Sequence, residues 1–249
     1  LSIWSPLPRK LQRPFVIAHR GLPEIALENT RRSYELALEA GTDTVETDVH
    51  VTADGRVVCL HDEDLLRVAG SDLRIQEVTI EEARAAFPAL LEYETFLQMT
   101  GDMPVMIDTK GASVEDFQVI AGVTERASLT ERIIFTAYTF ELARAIRARF
   151  PEVAISIHAN RGLDPLKMAS EVKASCIRLL ASDYVPDHIA KLHAQGYATI
   201  AVAAPLSSTR TSTSPDALRE IAKLGIAAII TDRCDWAMET LAATDSNQA

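Results

Sequence analysis

The sequence predicts an α/β fold, a (β/α)8 barrel of the TIM type with a small insertion after the second strand, and three observations carry that prediction. Short apolar runs alternate with longer segments of helical period, the pattern of repeated βα units. Eight such runs are present in 249 residues, and one barrel of this kind closes with about 250 residues. The alternation breaks only between residues 55 and 103, where a hairpin signal, Asp54-Gly55, announces an excursion from the barrel. The whole chain, 1–249, therefore reads as one domain carrying that insertion.

Strands are expected at residues 15–19, 44–48, 105–108, 133–136, 153–157, 176–180, 199–202 and 227–231, with helices at 30–40, 114–127, 140–149, 165–173, 186–195, 215–224 and 236–243. Asn29 is expected to cap the first helix and Gly41 to stop it. Pro165, Pro186 and Pro215 suit a first helical turn, where no amide donor is needed, with Asp164 and Ser214 as caps for two of them. Inside the insertion, residues 56–61 are expected to return as an extra strand, followed by two short helices, and so to bring His61 back over the barrel mouth. Residues 2–14 read as an arm leading into the first strand, 207–214 as a polar loop and 244–249 as a disordered tail.

A 47% hydrophobic content supplies ample core material, and a net charge of −10 argues against nucleic acid or an anionic membrane as partner. No apolar run reaches the roughly 18 residues of a membrane span. Cys59, Cys176 and Cys234 are odd in number and widely spaced, so they read as small core hydrophobes. The lack of a disulfide framework points to the cytoplasm; because the chain starts at Leu1, a periplasmic or secreted home stays open. Oligomeric state leaves no mark on the sequence.

The chemistry concentrates in the first third. From Val45 to Val51 the strand period of two places Glu46, Asp48 and His50 on one face. Two carboxylates aimed together repel unless a cation lies between them, and a hard divalent ion with oxygen ligands, Mg2+ or Ca2+, is the natural neutraliser. His19 and His61 lie at the ends of neighbouring apolar runs, and imidazole titrates nearest neutral pH.

These residues fall within a longer pattern: His19-Arg20-Gly21, Glu28-Asn29-Thr30, Ala40-Gly41, Glu46-x-Asp48, Thr52-x-Asp54-Gly55, Val57-Val58 and His61-Asp62, with Arg67 just beyond. In order and spacing it resembles the glycerophosphodiester phosphodiesterase family. Looser pieces follow at Asp108-x-Lys110, at 140–151 and at Thr231-Asp232-Arg233. The resemblance implies metal-dependent hydrolysis of a glycerophosphodiester or similar small phosphodiester to an alcohol and a phosphomonoester. It implies metal ligation by Glu46, Asp48 and Asp108, phosphate binding by Arg20 and Lys110, and acid and base roles shared between His19 and His61. Where the family's third strand ends Glu-x-Lys, this chain reads Asp108-Thr109-Lys110, which shortens the reach to a metal by one methylene. Where the family commonly places an aromatic Trp-Thr-Val-Asn-like segment, it reads Thr199-Ile-Ala-Val-Ala-Ala-Pro205, so the resemblance implies a wider or differently shaped leaving-group pocket.

Formal charge bears on the metal. Three carboxylates against Arg20 and Lys110 leave one negative charge unbalanced, which would repel a phosphodiester, whereas a divalent ion makes the site attractive. Around this set, Glu28 is expected to touch the metal shell or Arg20, Asp62 to orient a neighbour or cap a turn, and His50 to stand behind the carboxylates. His158, at the end of the fifth run, is placed either to touch the substrate's alcohol or to stabilise its loop, while His188 and His193 fall on a surface helix. Dinucleotide, nucleotide-triphosphate and serine-hydrolase motifs are absent. Two alternatives stand beside the main reading: a phospholipase D-like enzyme acting on lysolipids, which would need an exposed apolar rim, and a binding protein that keeps the pocket without turnover.

Overall fold

The computed structural model describes residues 13–128, 130–159, 162–203 and 214–242. The expectations for the arm up to residue 12, for residues 204–213 and for the tail 244–249 lie outside the described residues.

The barrel strands are β1 (Phe15–His19), β2 (Thr44–Val51), β5 (Val105–Asp108), β6 (Ile133–Ala137), β7 (Ala154–His158), β8 (Cys176–Arg178), β9 (Ala198–Val202) and β10 (Ala228–Thr231). Each pairs in parallel with its neighbours, and β1 bonds to both β2 and β10, closing the eight-stranded ring. Between them run α1 (Arg31–Glu39), α5 (Val114–Arg126), α6 (Phe140–Arg149), α7 (Pro165–Val172), α8 (Pro186–Ala194) and α9 (Pro215–Lys223), with α10 (Cys234–Ala242) after β10. Asp164 and Ser214 cap α7 and α9 as expected.

Side chains alternate across each strand, so the ring has two apolar faces. Ile17, Met106, Ile134, Ile200 and Ile230 fill its floor. Phe117, Phe135, Phe150 and Leu142 pack between strands and helices. Toward the C-terminal ends the interior becomes polar: Glu46, Asp48, Asp108, Thr136, Ser156 and Arg178 are all buried there. Burying charge is costly without compensation, so this layer is where the fold gives up stability for chemistry.

The structure departs from expectation in three places. β2 runs on to Val51, because beyond Asp48 it leaves the barrel and pairs antiparallel with β3 (Val57–Cys59), which satisfies its exposed edge. The insertion holds more than two short helices: α2 (Leu66–Ala69), a 3-10 turn (Ile75–Glu77), α3 (Ile80–Ala86), β4 (Leu91–Glu92) and α4 (Tyr93–Met99). Gly70 ends α2 at φ +68° and a Thr79–Glu82 capping box restarts the chain as α3, so the pieces stay short around a small core of Val58, Leu60, Leu65, Ile75 and Phe87. The first helix is capped by Thr30, whose side chain accepts from the Ser33 amide. Asn29 instead sits at φ +55° and turns inward toward the acidic layer. No helix among the described residues is long and apolar enough to cross a membrane, and all three cysteines are free and buried.

Candidate active site

β2 delivers Glu46 and Asp48 to the mouth, and register pairing sets Asp108 of β5 beside Asp48. Each of the three offers an oxygen within 4.8 Å of the others. Asp48 Oδ2 lies 2.9 Å from Arg20 Nε and accepts from Asn29 Nδ2 at 3.2 Å. Burial pushes its pKa up, but Arg20 and the two histidines outweigh that and hold it below the usual carboxylate range. Glu46 has less help. Its Oε2 accepts from the Arg20 amide at 3.1 Å, while its Oε1 is buried without a hydrogen-bond partner. Burial, with the charges of Asp48 and Asp108, drives the Glu46 pKa well up. Asp108 is the most tethered: Oδ2 accepts from Tyr138 Oη at 2.6 Å and Arg178 Nη1 at 2.9 Å, and Oδ1 from the Lys110 amide at 3.0 Å. Three converging carboxylates, one with an orphaned buried oxygen, fit a hard divalent cation.

Two histidines flank the carboxylates, each steadied through Nδ1. His19 Nδ1 lies 2.6 Å from Asp232 Oδ1, and His61 Nδ1 lies 2.6 Å from Asp62 Oδ1. His61 Nε2 meets Lys110 Nζ at 2.8 Å; an ammonium can only donate, so Nε2 accepts and Nδ1–H faces Asp62. Burial lowers the His19 pKa below 6.5, with Asp232 pulling the other way. The turn after His19 is tight. Arg20 sits at φ +57°, and Gly21 at φ +94°, where an added Cβ would lie 2.4 Å from Ser33 Oγ. That turn aims Arg20 at Asp48 and at Glu28, its Nη1 donating to Glu28 at 3.0 Å. Glu28 and Asp62 also accept from Arg67, tying the insertion to the first βα loop, and His50 Nε2 lies 3.2 Å from the His61 carbonyl. A cleft of about 830 Å³ opens beside His19, Arg20, Glu28, His61, Arg67 and Asp232.

His19, Arg20, Glu46, Asp48, His61, Asp108 and Lys110 thus gather at one end of the barrel. His158 stands across the mouth, stacked on Tyr138 with centroids 4.6 Å apart, and its Nδ1 is buried without a partner. Burial, aided by Arg178 and Lys110, lowers its pKa to about 3. His188 is exposed, and His193 bonds to Thr199 Oγ1 at 3.0 Å, away from the mouth. Tyr138 and Arg178 carry no assignment in the sequence reading, and Asp232 enters it only within Thr231-Asp232-Arg233, without a role. Arg178 had a readable signal, a cation two residues after Cys176 in an apolar strand and so on its inward face. Its presence corrects the charge argument: with Arg178 counted, the carboxylates balance without a metal, so charge alone does not make an ion obligatory.

The sequence model for the Glycerophosphoryl diester phosphodiesterase family matches residues 19–236. The chain belongs to that family. It is a phosphoric diester hydrolase, which removes the reading as a binding protein without turnover. Among relatives of this family member, a glycerophosphodiester phosphodiesterase of Caldanaerobacter subterraneus is 26% identical over 197 residues, 70% of this chain and 79% of the relative. A human lysophospholipase D is 26% identical over 162 residues, 58% of this chain and 51% of the relative. The barrel also resembles an Oleispira antarctica phosphodiesterase solved with its product sn-glycerol-3-phosphate, at a TM-score of 0.79 and 19% identity, over 92% of this chain and 97% of that one. At that identity the likeness speaks for the fold alone.

Proposed function

We propose that this enzyme hydrolyses a glycerophosphodiester, or a similar small phosphodiester, with the help of one divalent cation, releasing an alcohol and a phosphomonoester; from a glycerophosphodiester the latter is glycerol 3-phosphate. The observation that carries the reading is the carboxylate triad, with its orphaned Glu46 Oε1, set between two aspartate-bound histidines. Glu46, Asp48 and Asp108 would hold Mg2+ or Ca2+, which when bound supplies charge neutralisation at the phosphate. Arg20 and Lys110 add positive charge for the same oxygens. One histidine takes the proton of the attacking hydroxyl, the glycerol hydroxyl next to the phosphate or a water. The other gives a proton to the departing alkoxide oxygen as its bond to phosphorus breaks. Attack by the glycerol hydroxyl forms a cyclic phosphate that water then opens. His158, neutral at working pH, would offer the alcohol a hydrogen bond and a flat wall rather than charge.

A second reading, cleavage of lysolipids, has one observation in its favour. The large hydrophobic residues exposed among those described, Ile25, Leu27, Leu66 and Val185, all lie on connections that follow the C-terminal ends of barrel strands or on the insertion. They supply apolar surface at the mouth's end of the molecule. One assay separates the readings: glycerophosphocholine, glycerophosphoethanolamine, a sugar phosphodiester and lysophosphatidylcholine, each with Mg2+, Ca2+ or chelator. Metal-dependent turnover of a water-soluble diester is expected. Turnover of lysophosphatidylcholine alone would replace the first reading with the second, and full activity in chelator would remove the cation.

A further inference from the structure

We propose that Arg178 is a resident counter-cation of the carboxylate triad: it neutralises Asp108, leaves the divalent ion a seat made chiefly by Glu46 and Asp48, and so keeps the enzyme's hold on its ion weak. The inference rests on the proposed metal site and divides its three carboxylates into unequal parts.

Arg178 is buried at the inward face of β8, and its Nη1 donates to Asp108 Oδ2 at 2.9 Å. The same oxygen accepts from Tyr138 at 2.6 Å, so both of its lone pairs are spent on protein donors. Oδ1 accepts from the Lys110 amide at 3.0 Å, which leaves Asp108 at most one lone pair for an ion. The other two carboxylates are less occupied: Glu46 Oε1 is free of any donor, and Asp48 meets the guanidinium of Arg20.

The two arginines are not equivalent. Arg20 divides its charge between Asp48 and Glu28. Arg178 pairs with one carboxylate, Asp108, and its Nε is buried without a hydrogen-bond partner. Its charge is therefore directed at the triad and opposes an incoming cation at short range in a poorly solvated interior.

Titration calorimetry of the full chain with Mg2+ or Ca2+ alone tests this, with circular dichroism to confirm the fold of each variant. Arg178→Met is expected to bind the ion at least about tenfold tighter, as removal of a nearby like charge predicts. Arg178→Lys, which keeps the charge, should stay within about threefold of the unmodified chain, whereas Asp108→Asn, which strips Arg178 of its partner, should bind the ion more weakly. In Arg178→Met/Asp108→Asn the gain over the unmodified chain should disappear, because both charges of the pair are gone. Unchanged or weaker binding by Arg178→Met overturns the proposal, and so does an Arg178→Met/Asp108→Asn variant that binds no tighter than Asp108→Asn, a comparison that stays decisive if Arg178→Met alone does not fold. Glu46→Gln separates the levels. If it binds the ion as the unmodified chain does, the metal site itself is wrong; if it loses the ion while Arg178→Met gains nothing, only the counter-cation role fails.

Discussion

In both histidine–aspartate pairs an imidazole Nδ1 lies 2.6 Å from an aspartate oxygen, yet the pairs are built in opposite ways. His19 and Asp232 come from the ends of β1 and β10, 213 residues apart in sequence, and meet only because the barrel closes. Their side chains are 8% and 9% exposed. His61 and Asp62 are chain neighbours on the insertion, 23% and 30% exposed, and Asp62 shares its charge with Arg67. One pair is held by global topology in a desolvated site, the other by local sequence at a wet one. The same contact should therefore do more work in the first pair than in the second.

The largest effect treats the pairs alike. His19→Ala and His61→Ala should each lower kcat/KM by about 10²–10⁴-fold with the fold intact, the usual loss for a proton-transfer group. Near-full activity in either variant would take that residue out of the mechanism. Next comes the difference between the partners. Asp232→Asn should cost roughly 10²-fold and Asp62→Asn less than about tenfold, since orienting partners are worth more where water cannot replace them. Equal losses would mean that burial does not separate the pairs.

Smaller, but directional, is the pH dependence. Burial lowers the His19 pKa and Asp232 opposes that shift, so Asp232→Asn lowers it further. The acid limb of the rate profile, where a base histidine becomes protonated, should then move to lower pH. In Asp62→Asn the limb should stay where it is. A limb that moves only with Asp62→Asn would belong to His61.

The same contrast explains what could be read in advance. Asp62 lies next to His61, so an orienting role is legible from the sequence. Asp232 stands in Thr231-Asp232-Arg233 with no legible role, because nothing local links it to His19. The barrel was legible through its apolar runs, whose period and spacing are local properties, and the placement of Glu46 and Asp48 followed from strand alternation. Asn29 misled: its residue type suits a helix cap, but the left-handed turn at φ +55° hands capping to Thr30 and sends the amide to Asp48 and Tyr34. Tyr138 sits just past β6, where no period assigns it a face, and only the assembled mouth brings it to Asp108.

The smallest expected effect lies between the pairs, at Glu46, and is one of stability. Its pKa is raised in the folded protein, first by burial and then by Asp48 and Asp108. The native state therefore holds that proton more tightly than the unfolded chain, and the protein loses stability as pH rises from the ordinary glutamate value through the raised one. Glutamine at this position carries no charge to desolvate. In chelator, Glu46→Gln should match the unmodified protein at acid pH and exceed it in stability at neutral pH. Urea unfolding at several pH values measures the gap. A gap of opposite sign, or one that does not depend on pH, would mean that Arg20 and Arg178 outweigh burial and keep this carboxylate ionised before any ion arrives.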